Sequence, residues 1–416
     1  MTDWYLRTSC RMCDGRDLQR VMVLTPTPPG NNFLRQDELE SPEARYPLEL
    51  YFCGTCHHLQ LGHVVDPKIL YQNDYSYVSA TSSKFVEHLR TYAKDMAERF
   101  RLGPSDLVAD IGSNDGTCLR FFKDAGCKVL GVDPATEIAK RASASGIETI
   151  GEFFSGSLAQ RLRARYGAAT FITSHNACAH IDQLDDVVRG VHHWLADDGV
   201  FVLEVGYLLD VYRNNWFDTI YHEHLDYHSL APFNHLFART GMELLAAQRV
   251  SPQGGSIRVF AQKARGPRRA DGSAARLIEL EVENNLDKAQ TFVEFGRRVD
   301  EVGVRLRSLV RGLKADGKSI AAYGAATKAT TLLTHFQLGK DELDFIVDDN
   351  PLKQGLFSPA THIPVLAPEA LYRLRPDYVL ILAWNFAEPI VAMHRRYAQE
   401  GGKFVVPMPE PRVLES

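Results

Sequence analysis

A chain of 416 residues is longer than one hydrophobic core usually spans, so two or three domains are expected. With 45% hydrophobic and 24% charged residues and a formal net charge of -5, its composition excludes a polybasic partner surface for nucleic acid or anionic membrane. A small-molecule role is therefore expected. The N-terminal MTDWYLRTSC lacks the apolar core of a signal peptide, and no run of about 18 apolar residues occurs. These features predict a cytoplasmic protein with no membrane association.

Residues 1–78 are turn-rich, with the proline-heavy loop TPTPPGNN and short strand-like runs such as YPLELYFC. Of the seven cysteines, four form two C-x-x-C pairs here, Cys10 with Cys13 and Cys53 with Cys56. Two such knuckles supply four thiolates, a complete tetrahedral shell for Zn(II). A redox dithiol would instead place one C-x-x-C at the start of a helix after a strand. Four thiolates leave no open position, so this metal would hold a fold. A nearby histidine (His57, His58 or His63) replacing one cysteine is the lesser alternative. Cys118, Cys127 and Cys178 are scattered among apolar neighbours and read as buried thiols.

From Phe85 a helical pattern, FVEHLRTYAKDMAERF, leads into LVADIG, KVLGVD, TFITSHN and GVFVLEVG, apolar runs alternating with helix-like stretches. That alternation predicts a doubly wound α/β sheet over 79–265. LVADIGSNDG ends a first strand in an acid and a glycine turn. The dinucleotide pattern needs glycine or alanine where Asn114 and Thr117 stand, so a diphosphate cradle is weakened. Asp110 and Asp115 would repel a diphosphate and suit a ligand bearing an ammonium and a sulfonium, as in S-adenosylmethionine. Gly112 and Asn114 belong to the same loop, Asp133 closes the second strand where a carboxylate can take ribose hydroxyls, and Pro134 can lie against an adenine. A different nucleotide remains the alternative.

YHEHLDYH, residues 221–228, gathers three histidines, two acids and two tyrosines. It reads as a metal site or an acid–base centre. After GGSIRVFAQKA a charged helix is expected over 275–315, packed or linking rather than coiled-coil. SIAAYGAATKATTLL, LDFIVDDN and YVLILAWN then open a second α/β series over 266–416. Gly324 to Thr327 stand between strand and helix, where backbone N–H groups can meet an anion, and Lys328 adds a charge. A nucleoside diphosphate would suit this turn. A tight strand-to-helix turn with an exposed lysine is the plain alternative. Asp348, Asn350, Lys353 and Asn385 follow later apolar runs, where ligand residues gather in such sheets.

Together the two knuckles, D-I-G-S-N-D-G, H-N-A-C-A-H, Y-H-E-H, Y-G-A-A-T-K and V-D-D-N-P-L-K-Q-G resemble one family across essentially the whole chain. It is the zinc-containing sugar C-methyltransferases, which add a branch methyl to C-3 of nucleotide-linked 4-keto-deoxysugars in making antibiotic sugars. The resemblance implies an α/β enzyme of three domains: a zinc-binding domain (1–78), a class I methyltransferase domain for S-adenosylmethionine (79–265) and a C-terminal Rossmann-like domain for the sugar nucleotide (266–416). It implies cofactor contacts at Asn176, and substrate contacts at Tyr323, Gly324, Thr327, Lys328 and Asn385.

By the same match His224 is the base, Glu223 or Tyr221 orients the sugar, and His180 sits near the carbonyl. The family's Tyr-x-Tyr-x-Ser-Ser segment is here Tyr75-Ser-Tyr77-Val-Ser79-Ala80, so either Tyr75 or Tyr77 is the catalytic-site tyrosine. With zinc held by cysteine, YHEHLDYH is free to titrate. An extended or turning course would put His222 and His224 on one side and Tyr221 and Glu223 on the other. His222 and His228 are assigned to structure. The expected reaction is S-adenosylmethionine-dependent C-methylation at C-3 of a dTDP-linked 4-keto-deoxysugar, by a monomer. O- or N-methylation of another metabolite, and a non-catalytic sugar-nucleotide-binding module, are the alternatives.

Overall fold

The computed structural model describes residues 3–71, 80 and 82–414. Tyr75 and Tyr77 lie outside them. The first unit is built on an antiparallel sheet of Leu18–Thr27, Tyr46–Cys53 and Leu59–Leu61. Tyr46, Leu48, Leu50 and Phe52 are buried in alternation, as a sheet with one covered face requires. A fourth strand on its edge, Asp226–Tyr227, comes from the YHEHLDYH segment and pairs antiparallel with Leu59–Leu61.

The helix Ser83–Phe100 starts where the Ser82 hydroxyl accepts from the Phe85 N–H and ends at Arg101 in the left-handed region. It leads into a seven-stranded sheet. The order is Met242–Val250, Ser256–Lys263, Leu195–Gly206, Ala169–His175, Leu107–Ile111, Lys128–Val132, Thr149–Ile150. Ser256–Lys263 runs antiparallel to its neighbours and the other pairs are parallel. The winding reverses between Leu107–Ile111 and Ala169–His175, which opens a crevice beyond their carboxyl ends.

The helix expected over 275–315 is two helices, Ser273–Glu283 and Ala289–Ala315. The break falls at Asn284 and Asn285: the Asn284 amide donates to the Leu280 carbonyl, and Asn285 is left-handed (φ 57°). Asparagine favours both arrangements over helix interior. The second helix packs on the first sheet, with Phe292 5.6 Å from Phe52. Beyond it lies a third sheet, ordered Val365–Leu366, Ile346–Val347, Ile320–Tyr323, Tyr378–Ile381, Lys403–Val406, Arg412–Val413 and parallel except for the last pair. Its winding reverses between Ile320–Tyr323 and Tyr378–Ile381, a second crevice. Among the described residues, no helix is long and apolar enough to cross a membrane.

Candidate active site and zinc centre

The two cysteine knuckles share one local geometry. The residue four positions after the first cysteine, Asp14 or His57, is left-handed (φ 63° and 67°) and donates its N–H to that cysteine's carbonyl, at 2.9 and 2.8 Å. The four thiol sulfurs lie within 4.8 Å of one another, with Cys10–Cys56 and Cys13–Cys53 both 3.5 Å apart. A tetrahedral zinc with Zn–S bonds of about 2.3 Å sets its sulfurs roughly 3.8 Å apart, so the set fits Zn(II). No histidine joins it. His58, two residues after Cys56, is hydrogen-bonded to Asp226 at 2.7 Å.

At the crevice of the seven-stranded sheet, Gly112 (φ 77°) is obligatory, since a Cβ there would stand 2.5 Å from that of Ala177. Asp133 accepts from the N–H of Asn114 at 2.8 Å and of Ala135 at 2.9 Å, which fixes its carboxylate at the rim of the glycine loop. Asp110 is buried, its Oδ1 has no hydrogen-bond partner, and burial followed by the Asp133 charge pushes its carboxyl well up. Pro134 and Asn176 line the same space. Asp115 does not. Its carboxylate accepts from the Thr117 N–H and hydroxyl at the start of the next helix and from the Ala80 N–H, because an acid two residues before a helix start is drawn to the unpaired N–H groups. The sequence gives less notice of His175, a half-buried residue at this crevice whose ring nitrogens have no hydrogen-bond partner, and of Glu204 behind it, held by His88 and Arg258 at 2.7 and 2.6 Å. The signal was their place at the ends of TFITSH and GVFVLEVG.

YHEHLDYH turns first and becomes extended only at Asp226–Tyr227. Residues 221–224 form a turn in which the His224 N–H donates to the Tyr221 carbonyl, bringing the two rings to 4.0 Å and the Tyr221 hydroxyl to 2.7 Å from His224 Nε2. His222, expected beside His224, points instead into the first unit, where its Nε2 meets the Tyr46 carbonyl at 3.2 Å. His228 is fully buried against Phe233. Neither reaches the cavity that Tyr221, Glu223, His224 and His180 line. The His180 ring stands nearly perpendicular to His224 at 5.0 Å. Burial pulls His224 down to about 4, and burial with the neighbouring His224 pulls His180 to about 3. Glu223, with one oxygen lacking a hydrogen-bond partner, is pushed up by burial to about 7. The ordering that reference values suggest, imidazole above carboxylate, is thus inverted.

At the second crevice the expected residues divide. Thr327, Lys328 and Asn385 line the cavity, whereas Tyr323 is buried and donates to Asp349 at 2.8 Å, and Gly324 (φ 99°) serves the turn against Ala383. Lys328 is not exposed. Its ammonium donates to Asn385 at 2.7 Å, lies 3.8 Å over the Trp384 ring and 4.0 Å from Asp218, and burial lowers it to about 8. Asp348 accepts from the Ala325 and Asn350 N–H groups and Lys353 donates to the Ala325 carbonyl, so these shape the turn from behind. The TPTPPGNN loop closes over the helix start, with the Gly30 carbonyl accepting from the Thr330 hydroxyl at 3.1 Å. Both crevices and the 221–224 turn open into one cavity of about 840 Å³.

Three family descriptions match in chain order: a zinc binding domain over residues 10–71, a methyltransferase domain over 85–247, and a C-methyltransferase C-terminal domain over 251–409. The chain is 37% identical to C-methyltransferase NovU of Streptomyces niveus over 407 residues, covering 98% of this chain and 97% of the relative. This chain belongs to the zinc-containing C-methyltransferases. Among solved structures, methyltransferases align with part of the chain. The S-adenosylmethionine-dependent methyltransferase of Clostridium acetobutylicum is 13% identical with TM-score 0.35, over 43% of this chain and 92% of its own. The magnesium protoporphyrin IX methyltransferase of Synechocystis, with bound S-adenosylhomocysteine, is 16% identical with TM-score 0.34, over 43% and 83%.

The methyl donor of this C-methyltransferase is S-adenosylmethionine, and its structural metal is zinc. The donor's charges suit the first crevice, since a cation bound there would hold the buried Asp110 and Asp133 carboxyls, both raised by burial, in their charged form.

Proposed function

We propose that this C-methyltransferase methylates C-3 of a dTDP-linked 4-keto-deoxysugar, the branching step of an antibiotic-type sugar. The observation that carries the reading is the single cavity: acceptors for a cation at Asp110 and Asp133, a cation at Lys328 for an anion, and a hydrogen-bonded acid–base cluster between them. Methylation at carbon needs that middle group, because a proton alpha to a ketone must leave before the carbon can attack. S-adenosylmethionine supplies an electrophilic methyl group.

His224 is suited to take the proton. The Thr219 carbonyl, 2.8 Å from Nδ1, can only accept, so Nδ1 carries the hydrogen and Nε2 the lone pair. Burial keeps the ring neutral at pH 7. The Tyr221 hydroxyl donates to that lone pair, so the proton leaving carbon reaches Nε2 through the Tyr221 oxygen, which gives up its own hydrogen to the ring as it takes the new one. His180, also neutral and lining the same cavity, is suited to donate a ring N–H to a developing enolate oxygen. A second reading has one observation in its favour: Glu223, with a free oxygen and a value near 7, is poised to act as the base itself.

Incubation with a dTDP-4-keto-deoxysugar and S-adenosylmethionine isotopically labelled in its methyl group tests the reaction. The expected product carries the label on carbon C-3. A label on oxygen or nitrogen would point to the O- or N-methyltransferase reading, and no transfer to any such sugar to a sugar-nucleotide-binding module.

A further inference from the structure

We propose that the zinc knuckle is a positioning device for the acid–base segment, with Arg11 as the residue that connects them. The proposal rests on the reading of His180 and His224 as the acid–base pair. Arg11 lies inside the first knuckle, between Cys10 and Cys13, and its side chain is fully buried. Its Nε donates to Asp182 at 3.1 Å, and its Nη1 donates to the Leu61 and Leu225 carbonyls at 2.8 and 3.3 Å and stands 3.9 Å from Asp226. Asp182 follows His180 by two residues, and Asp226 follows His224 by two. One guanidinium therefore holds the backbone next to both histidines.

The second knuckle repeats the arrangement. His58, two residues after Cys56, bonds Asp226 at 2.7 Å with both side chains fully buried. The edge pairing of Asp226–Tyr227 with Leu59–Leu61 adds backbone bonds in the same place, and the Leu225 N–H donates to the Ala179 carbonyl at 2.7 Å, tying the two histidine segments together. Arg7 and Tyr5 complete the grip on Asp182. A planar guanidinium suits this role because its several donors are fixed in direction, which an ammonium cannot match. Zinc fixes Cys10, Cys13, Cys53 and Cys56 relative to one another, and hence Arg11 and His58 relative to each other. The four thiolates then matter to chemistry through the geometry they impose on His180 and His224, with no bond to substrate.

Arg11→Lys keeps the charge and loses the fork, while Asp226→Asn is isosteric and lies outside the knuckle. Each is expected to lower kcat by about 10- to 100-fold, the usual effect of a small displacement of a reacting group, with one zinc per chain, KM for both substrates and S-adenosylhomocysteine affinity all near wild type. The double variant should lose no more than the worse single, because both act through one network. Wild-type kcat in both variants overturns the proposal and leaves the acid–base reading, tested on His224 itself, standing. A kcat loss matched by an equal loss of cofactor affinity overturns it too, since the network would then be merely structural. Should Arg11→Lys fail to hold zinc, Asp226→Asn alone decides.

Discussion

The Tyr221 hydroxyl lies 2.7 Å from His224 Nε2, and the opposite nitrogen of that ring lies 2.8 Å from the Thr219 carbonyl. The imidazole is thereby held at both ends in one tautomer. Tyr221→Phe should lower kcat on the order of 10²-fold while leaving S-adenosylhomocysteine affinity unchanged, because the ring loses its alignment and no cofactor contact is removed. Steady-state kinetics with calorimetry checks this.

The inverted acidities of Glu223 and His224 predict different pH profiles for the two candidate bases. A base must be unprotonated, so activity falls as pH drops through its value. With His224 as base the acid limb of kcat/KM lies near 4 and survives Glu223→Gln; with Glu223 it lies near 7 and vanishes in that variant. The account expects the former.

Asp133→Asn should weaken S-adenosylmethionine and spare the sugar nucleotide. The carboxylate is held by two backbone N–H groups, and an amide replaces one acceptor with a donor facing one of them. Loss of charge-assisted bonds to a ligand is worth roughly 1.5–3 kcal/mol, about 10- to 150-fold in affinity. Calorimetry with each ligand separately checks it.

Lys328 is half-buried and lowered to about 8, so its charge is lost within an accessible range. If it serves an anionic diphosphate, KM for the sugar nucleotide should rise as pH climbs through about 8, with kcat little affected, since a phosphate contact is equal in ground and transition states. Lys328→Met should show a raised KM without that rise.

Five histidines, His175, His180, His222, His224 and His228, are all depressed by desolvation, to about 4, 3, 4, 4 and 4. A depressed group contributes stability present above its unfolded value of about 6.5 and lost as pH falls through its folded value. Glu223, raised, has the opposite sign and loses its contribution as pH rises through about 7. Thermal unfolding should therefore show Tm dropping steeply between about pH 6.5 and 4, and Glu223→Gln should raise Tm relative to wild type above pH 7.

The cysteine knuckles and the acids closing the first two strands were legible because their chemistry is set by local spacing: C-x-x-C and a strand ending in Asp110 or Asp133 dictate geometry within a few residues. Tyr221 and His224 are in view in the sequence, but their pairing is not, because which way the turn directs each ring depends on partners far along the chain, such as the Tyr46 carbonyl that takes His222. Asp115 was read as a ligand acid, whereas the helix start beside it competes for the same carboxylate. The shifted acidities of Lys328 and Glu223 are not legible in the sequence, since the burial that causes them is tertiary. Arg11 gave no signal at all; its partners are over 170 residues away, at Asp182 and Asp226.

The central claim is that His224 removes the proton at C-3 before the methyl group is transferred. With S-adenosylhomocysteine bound and a dTDP-4-keto-deoxysugar in heavy water, transfer cannot occur, but exchange of the C-3 hydrogen for deuterium can. Magnetic resonance of the sugar should record exchange with the wild-type enzyme and a loss on the order of 10²–10⁴-fold in rate with His224→Asn. Exchange that persists in His224→Asn and disappears in Glu223→Gln or His180→Asn would contradict the claim and move the base to that residue.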